Sequence, residues 1–311
     1  MPLLTRKRMI LAKIESTYGT DSTPLAANAI LVSNLNITPV EQESDTREII
    51  RPSLGDKEIV VALNRVVVEF DCELVGSGAA GTAPGYGALL RACGLSETVV
   101  ASTSVTYAPV SSSFESATIY IGVDGVQHKV LGARGTFSID MSAKQIPTIK
   151  FKMTGLMGTV TDTALVTPTF TGFGTPLVVN NTNSTGFALH GFSGVMSALS
   201  VDLGVDVNHR SLVGASEYIQ ITNRDVTGQI TIEAPTIASK DFFTIAKTAA
   251  SGALTLTHGT VAGNKCKIDG VKVQISQPQY TDMDGVQMLQ MALNFRPNAA
   301  GGNDELTLTY T

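Results

Sequence analysis

The chain has no tryptophan, and aromatic residues make up only 6% of it. Flat aromatic platforms for stacking sugars are therefore in short supply. Charge is scarce as well: charged residues are 16% of the chain and the net charge is −5. The basic residues are scattered, so the electrostatic footprint of a protein that grips nucleic acid is missing. No apolar run reaches the length of a membrane span, and the opening MPLLTRKRMILAKIE lacks a hydrophobic core of signal-peptide length. Neither a bilayer anchor nor a secretory signal is expected. The cysteines are three, Cys72, Cys93 and Cys266, at unrelated spacings. That is an odd count with no ligand spacing, expected of small buried apolar residues in a chain that folds in a reducing compartment.

Chemistry-bearing patterns are equally thin. His128, His190, His209 and His258 stand in separate segments with no Cys, His or Asp at metal-ligand spacing. Asp140, Asp282 and Asp284 invite a carboxylate-pair reading, but Thr-Asp-Met-Asp-Gly is ordinary turn chemistry. There is no nucleophile elbow, phosphate loop or dinucleotide fingerprint, and the two Asn-x-Thr sequons mean nothing without secretion. No catalytic residue, cofactor or metal is expected, and the chain reads as a non-enzyme.

What is present is β pattern. Residues 117–155 alternate apolar and polar around an Asp124-Gly125 turn, the signature of antiparallel strands with one buried face. The stretch returns 138 residues later: Lys129 to Arg134 meets Lys267 to Lys272, and Gly125 meets Gly263. Upstream, at an offset of 159, Arg51, Gly55, Glu58, Asn64 and Arg65 fall on Arg210, Gly214, Glu217, Asn223 and Arg224. Two copies of one β unit account for this, and so would two unrelated β domains sharing turn chemistry. Divided accordingly, residues 1–158 form a first β domain with an N-terminal arm, 159–193 connect, and 194–311 form a second with a C-terminal strand.

Taken in order, residues 1–15 carry four basic side chains among apolar ones and form a first strand or an arm. Residues 26–40 read as a strand, and 41–58 form the most charged segment of the chain, a long excursion between strands. Residues 59–74 make a long strand. Residues 75–115 are loop-like, with a short helix from Pro84 to the Gly94 stop; residues 239–247 offer a matching helix in the second half. Residues 156–192 cross a domain surface as irregular strands. The last six residues alternate beyond a Gly-rich hinge, as a strand able to add to another subunit's sheet edge.

Two stretches, Ser16-Thr-Tyr-Gly-Thr-Asp-Ser-Thr-Pro24 running into Ala26 to Leu35, and Gly81-Thr-Ala-Pro-Gly-Tyr-Gly-Ala-Leu-Leu-Arg-Ala-Cys-Gly94, resemble the major tail tube proteins of long-tailed, siphovirus-type bacteriophages. The resemblance covers the first half better than the second. It implies a mainly β fold of two tandem antiparallel β-sandwich or barrel domains, each flanked by one short α-helix. It implies a virion protein, assembled in the host bacterial cytoplasm, whose rings stack into a conduit for DNA delivery. Fused two-copy members form trimeric rings of pseudo-sixfold symmetry; an unduplicated chain would form hexamers. The implied partners are further copies of the chain, the tape measure protein and phage DNA in the lumen, and the tail tip and tail terminator proteins. The 41–58 excursion would then reach the neighbouring ring, making Arg51 with Glu58, and Arg210 with Glu217, the candidate ring-to-ring contacts. The alternative is a virion decoration or receptor- or carbohydrate-binding protein of tandem β-sandwiches; a hydrolase on a β scaffold stands further off.

Overall fold

A computed structural model of the chain describes residues 2–214 and 216–311. Strands take 53% of the chain and helices 5%, so the fold is mainly β, with large antiparallel sheets. The long strand Val126–Ser142 turns back from Ala117–Val123 through Asp124 and Gly125, whose φ angles are 38° and 100°. A two-residue hairpin turn needs left-handed conformations at both positions, which Asp and Gly tolerate. Asp284 and Gly285, at 55° and 80°, repeat the device between Cys266–Met283 and Val286–Arg296.

The first half runs across the sheet as Ser33–Thr46, Ile59–Glu73, Thr148–Asp162, Val126–Ser142, Ala117–Val123 and Arg8–Ile14. The second runs as Met196–Asp202, Thr227–Glu233, Val286–Arg296, Cys266–Met283, Ser251–His258 and Ser184–Leu189. Both long central strands sit between a hairpin partner on one edge and a second long strand on the other. Phe137 faces Phe151, which faces Phe70; in the second half Ile275 faces Leu293, which faces Gly228. The halves are not separate bodies. Ala198–Asp202 pairs along Ser138–Ser142, and one apolar cluster includes Phe137, Leu199 and Leu293 together. Two short helices, Gly87–Ala92 and Phe242–Thr248, lie where the sequence puts them. Asp241 caps the second by accepting from the Thr244 N–H at 2.9 Å.

Three segments differ from their sequence reading. Residues 26–40 form a 3-10 turn, Ala26–Asn28, then the short Ala29–Ile30, and only then the strand Ser33–Thr46. The loop-like stretch 75–115 contains a hairpin, Leu95–Val100 with Ser104–Pro109, besides its helix. The C-terminal strand does not reach out to another subunit: Thr307–Tyr310 inserts between Cys266–Asp269 and Val105–Tyr107 of the same chain. Its alternating Leu306, Leu308 and Tyr310 are buried. Tyr310 meets Tyr107 edge-on at 5.9 Å and shares a 3.0 Å hydroxyl contact with Tyr86.

The tether to that strand is held by a buried ion pair. Arg224, 12% exposed, donates from Nε to Glu305 at 2.7 Å, and Glu305 is 8% exposed. The same guanidinium donates to the Val110 carbonyl at 2.8 Å. Its sequence counterpart Arg65 forks onto Glu41 at 2.9 and 3.0 Å on a half-open surface. Removing one partner of a buried pair strands the other, whereas an exposed pair contributes little. Arg224→Ala is therefore expected to cost about 3 kcal/mol of unfolding free energy and Arg65→Ala about 1 kcal/mol or less, as measured by urea denaturation.

Candidate functional site

Each half projects one hairpin arm beyond its share of the sheet. The first extends the pairing of Ser33–Thr46 with Ile59–Glu73 out to Thr46 opposite Ile59, and then opens into a twelve-residue loop, 47–58. Thr148–Asp162 covers one flank only from Arg65 inward, so residues 59–64 have that edge open, and Ser33–Thr46 pairs on one side alone. The Arg65 fork onto Glu41 holds the arm's ladder, and the Glu41 carboxyl sits below the usual range, chiefly because Arg65 donates to it. The loop is closed by the Arg47 N–H on the Glu58 carbonyl at 2.9 Å, and by the ion pairs Arg47–Glu58 and Lys57–Glu48. Beyond those clasps Ile50 and Leu54 stand fully exposed.

The second arm pairs Val205–Arg210 with Tyr218–Arg224, and it bends where the first arm runs on. The bend needs Gly204, at φ 60°, because a Cβ there would lie 2.2 Å from the Asp225 carbonyl oxygen. It is docked on the first half rather than free. Tyr18 accepts the Ile219 N–H at 2.5 Å, while Arg134 lies over the Tyr18 ring at 4.9 Å and donates to the carbonyls of Ile219 and Phe114 at 2.7 and 2.6 Å. Its tip presents Leu212 and a fully exposed Val213. Between the two arms lies an open cleft of about 870 Å³, lined by Val61, Leu63, Lys129, Met157 and Glu217 among others.

All four sequence-derived candidates, offered as contacts between rings, lie on these tips, and within the chain each glutamate meets a different neighbour. Arg51 is exposed in the first loop, while Glu58 binds Arg47. Arg210 ends its strand opposite Tyr218, and Glu217 lies 2.7 Å from Nε2 of His209. Arg51 and Arg210 are also not spatial equivalents: the second loop, 211–217, has seven residues against twelve, so it is Thr46 that closes the first ladder as Arg210 closes the second. The exposed apolar tips went unnoticed in the sequence, although Ile49-Ile50 and Leu212-Val213 inside polar loops were the available signal.

The remaining reactive groups are committed elsewhere. The three cysteines are buried, and burial pushes their thiols up, Cys266 to about 12. His258 sits between the Ser184 hydroxyl at Nδ1, 2.9 Å, and the Leu177 carbonyl at Nε2, 3.1 Å. Burial lowers its pKa, and lowers those of His190 and His128. Among the described residues no three His, Cys, Asp or Glu side chains gather as a metal site, and no helix is long and apolar enough to cross a membrane.

A histidine whose folded pKa is depressed binds fewer protons folded than unfolded, so its contribution is present above about pH 6.5 and is lost as pH falls below it. The paired Glu41 carboxylate loses its contribution in a separate, lower window, as pH drops below about 4.5. The melting temperature should accordingly fall in two stages between pH 8 and pH 3, the first beginning near pH 6.5; a flat profile down to pH 5 would contradict the histidine assignments.

Comparison with curated proteins gives no match. The sequence does match the family described as "Phage tail tube protein", over residues 5–311. With nearly the whole chain covered, and with a β framework whose open surfaces lie at projecting arms, the chain belongs to the phage tail tube protein family.

Proposed function

We propose that this structural phage protein polymerises as stacked rings into the tail tube of a long-tailed phage, and that the tube conducts DNA into the host. It does so without catalysis. The observation that carries the reading is the pair of projecting arms, whose outermost side chains, Ile50, Leu54 and Val213, are apolar and fully exposed. A solitary soluble protomer gains nothing from such tips, whereas a stacking subunit buries them against the next ring. Family membership supplies the direction, since a tail tube protein acts by self-assembly in the virion tail.

The shared strand order of the two halves supports a tandem arrangement of two tube units, residues 1–158 and 194–311 joined through 159–193, with Ser184–Leu189 of the joining segment serving as a strand of the second unit. Two units per chain favour trimeric rings of pseudo-sixfold symmetry. Arg51, Glu58, Arg210 and Glu217 remain the polar candidates for contacts between rings, although Glu58 already binds Arg47 and Glu217 lies beside His209 within the chain. A net charge of −5 suits a lumen through which DNA slides without adhering. The tape measure protein would fill that lumen before DNA does, and the tail tip and terminator proteins would close the ends, with assembly in the host cytoplasm.

Replacing residues 48–57 by Asn-Gly keeps the Arg47–Glu58 closure and converts the loop to a two-residue hairpin turn. The variant should melt within a few degrees of the parent, because the deleted residues lie outside the core. Electron microscopy of seeded, concentrated protein should show hollow tubes for the parent and few or none for the variant. Normal-length tubes from the variant would remove the loop from the stacking contact; parent particles that never elongate would overturn the function.

A further inference from the structure

The two arms leave the sheet at one end, and a third hairpin projects from the other. Along the ladders Arg65, at the base of the first arm, faces Leu156, and Glu73 faces Thr148; Ser142, Met196 and Glu233 lie toward the Thr148 end. The second arm leaves from the opposite, arm-bearing end, where Asp202 faces Thr227. Glu233 faces Met288, and the hairpin of Cys266–Met283 with Val286–Arg296 runs on past it to the Asp284-Gly285 turn. Ala234 donates to the Gln287 carbonyl at 3.0 Å, and beyond that tie residues 282–286 are all exposed.

The first half has no such projection. Between the equivalent pairs Ser138–Lys150 and Ser276–Ala292 it has eleven residues where the second half has fifteen. Its turn is also tied to the body: Lys144 donates to the Val179 carbonyl and Val179 to the Gln145 carbonyl, each at 2.8 Å. The longer hairpin is braced instead by the helix Phe242–Thr248, where Phe243 meets Tyr280 at 5.6 Å. Its tip presents Met283 and Val286, 46% and 48% exposed, together with Asp282 and Asp284. Neither carboxylate forms an ion pair among the described residues.

The arm-bearing end offers a complementary surface. The open cleft between the arms has apolar walls on which Val61 and Met157 are 44% and 43% exposed. Its charged lining is already engaged: Lys129 binds Asp21 at 2.9 Å, and Glu217 lies beside His209. On the tips, Glu58 and Glu48 take Arg47 and Lys57, and Asp56 accepts the Lys57 N–H at 2.9 Å. Arg51 and Arg210 are left there without an ion pair among the described residues. We infer that the hairpin tip at 282–287 of one copy seats in the cleft between the arms of the next copy along the tube. Met283 and Val286 then cover Val61 and Met157, and Asp282 and Asp284 face Arg51 and Arg210.

The contact joins opposite ends of the chain, so it is heterologous and repeats along an axis without closing. One hairpin and one cleft per chain match one to one, and every arm in the tube points the same way. The inference rests on the tube reading and names the element of the next ring that meets the arms.

The test places the photoreactive residue p-benzoylphenylalanine at Met283 of the full chain. The position is exposed at a hairpin end outside the core, so the protomer should fold. Irradiated tubes should give adducts that mass spectrometry maps to residues 59–64 or 156–159, and irradiated protomer should give none. Tubes with adducts elsewhere, or with none, would overturn the seat and leave the function standing; a parent chain that never forms tubes would remove both. If the substituted chain fails to assemble, hydrogen exchange on the parent decides. Amides at 282–287 should exchange about tenfold more slowly in tubes than in protomer, and unchanged exchange there would overturn the seat. The charged contacts are read in D282N/D284N, since Asn keeps the left-handed turn. Its seeded elongation should be about threefold slower than the parent's at low salt and converge on it as salt rises; equal rates at low salt would overturn the arginine contacts.

Discussion

A β-sheet cannot end without consequence: its last strand offers a row of N–H and C=O groups that must meet water, a cover or another strand. Much of this chain's architecture follows from where it spends its strands on that constraint. The C-terminal strand, which stands apart from its unit in sequence, closes a gap between Cys266–Asp269 and Val105–Tyr107. Met196–Asp202 closes another by lying along the first half's central strand. Among the edges that stay open are the outer side of Ser33–Thr46 and the far end of Cys266–Met283.

The two arms show how matched sequence is put to different uses. Arg65 and Arg224 correspond in sequence, yet the first braces an exposed ladder through Glu41 while the second is buried on Glu305 and holds the C-terminal tether. The second arm is fastened down by Arg134 and Tyr18, and its neighbour is left projecting. A further buried carboxylate serves local order alone: Glu15 accepts from the hydroxyls of Ser116 and Thr118 and from the N–H groups of Gly19 and Gly132. It ties the first strand's end to the turn that carries Tyr18, and so to the surface on which the second arm is docked.

Local features were legible because their signals are local. Alternation marked Val126–Ser142 and Ile59–Glu73, Asp-Gly dipeptides marked two turns, Pro84 with Gly94 marked the first helix, and the amphipathic run at 239–247 marked the second. The tube family was readable from the Tyr18 and Gly81 to Gly94 segments. What could not be read depends on contacts far apart in the chain. The hairpin at Leu95–Val100 and Ser104–Pro109 is stabilised by a strand some two hundred residues later, in Tyr107 against Tyr310. The offset that matched Arg51 to Arg210 gave no hint that the loops differ in length, since the five-residue change falls between strands whose pairing sequence does not display. The docking of one arm turns on Arg134 reaching the Ile219 carbonyl, an interaction that leaves no pattern in either segment.

The central claim is that the exposed apolar tips of the two arms are the surface by which one copy of the chain meets the next in the tube. The most direct measurement is a helical reconstruction of the assembled tube at a resolution that separates strands. The account predicts three chains per ring, with Ile50, Leu54 and Val213 buried against the neighbouring ring. Tips left facing solvent in the assembled tube would contradict it.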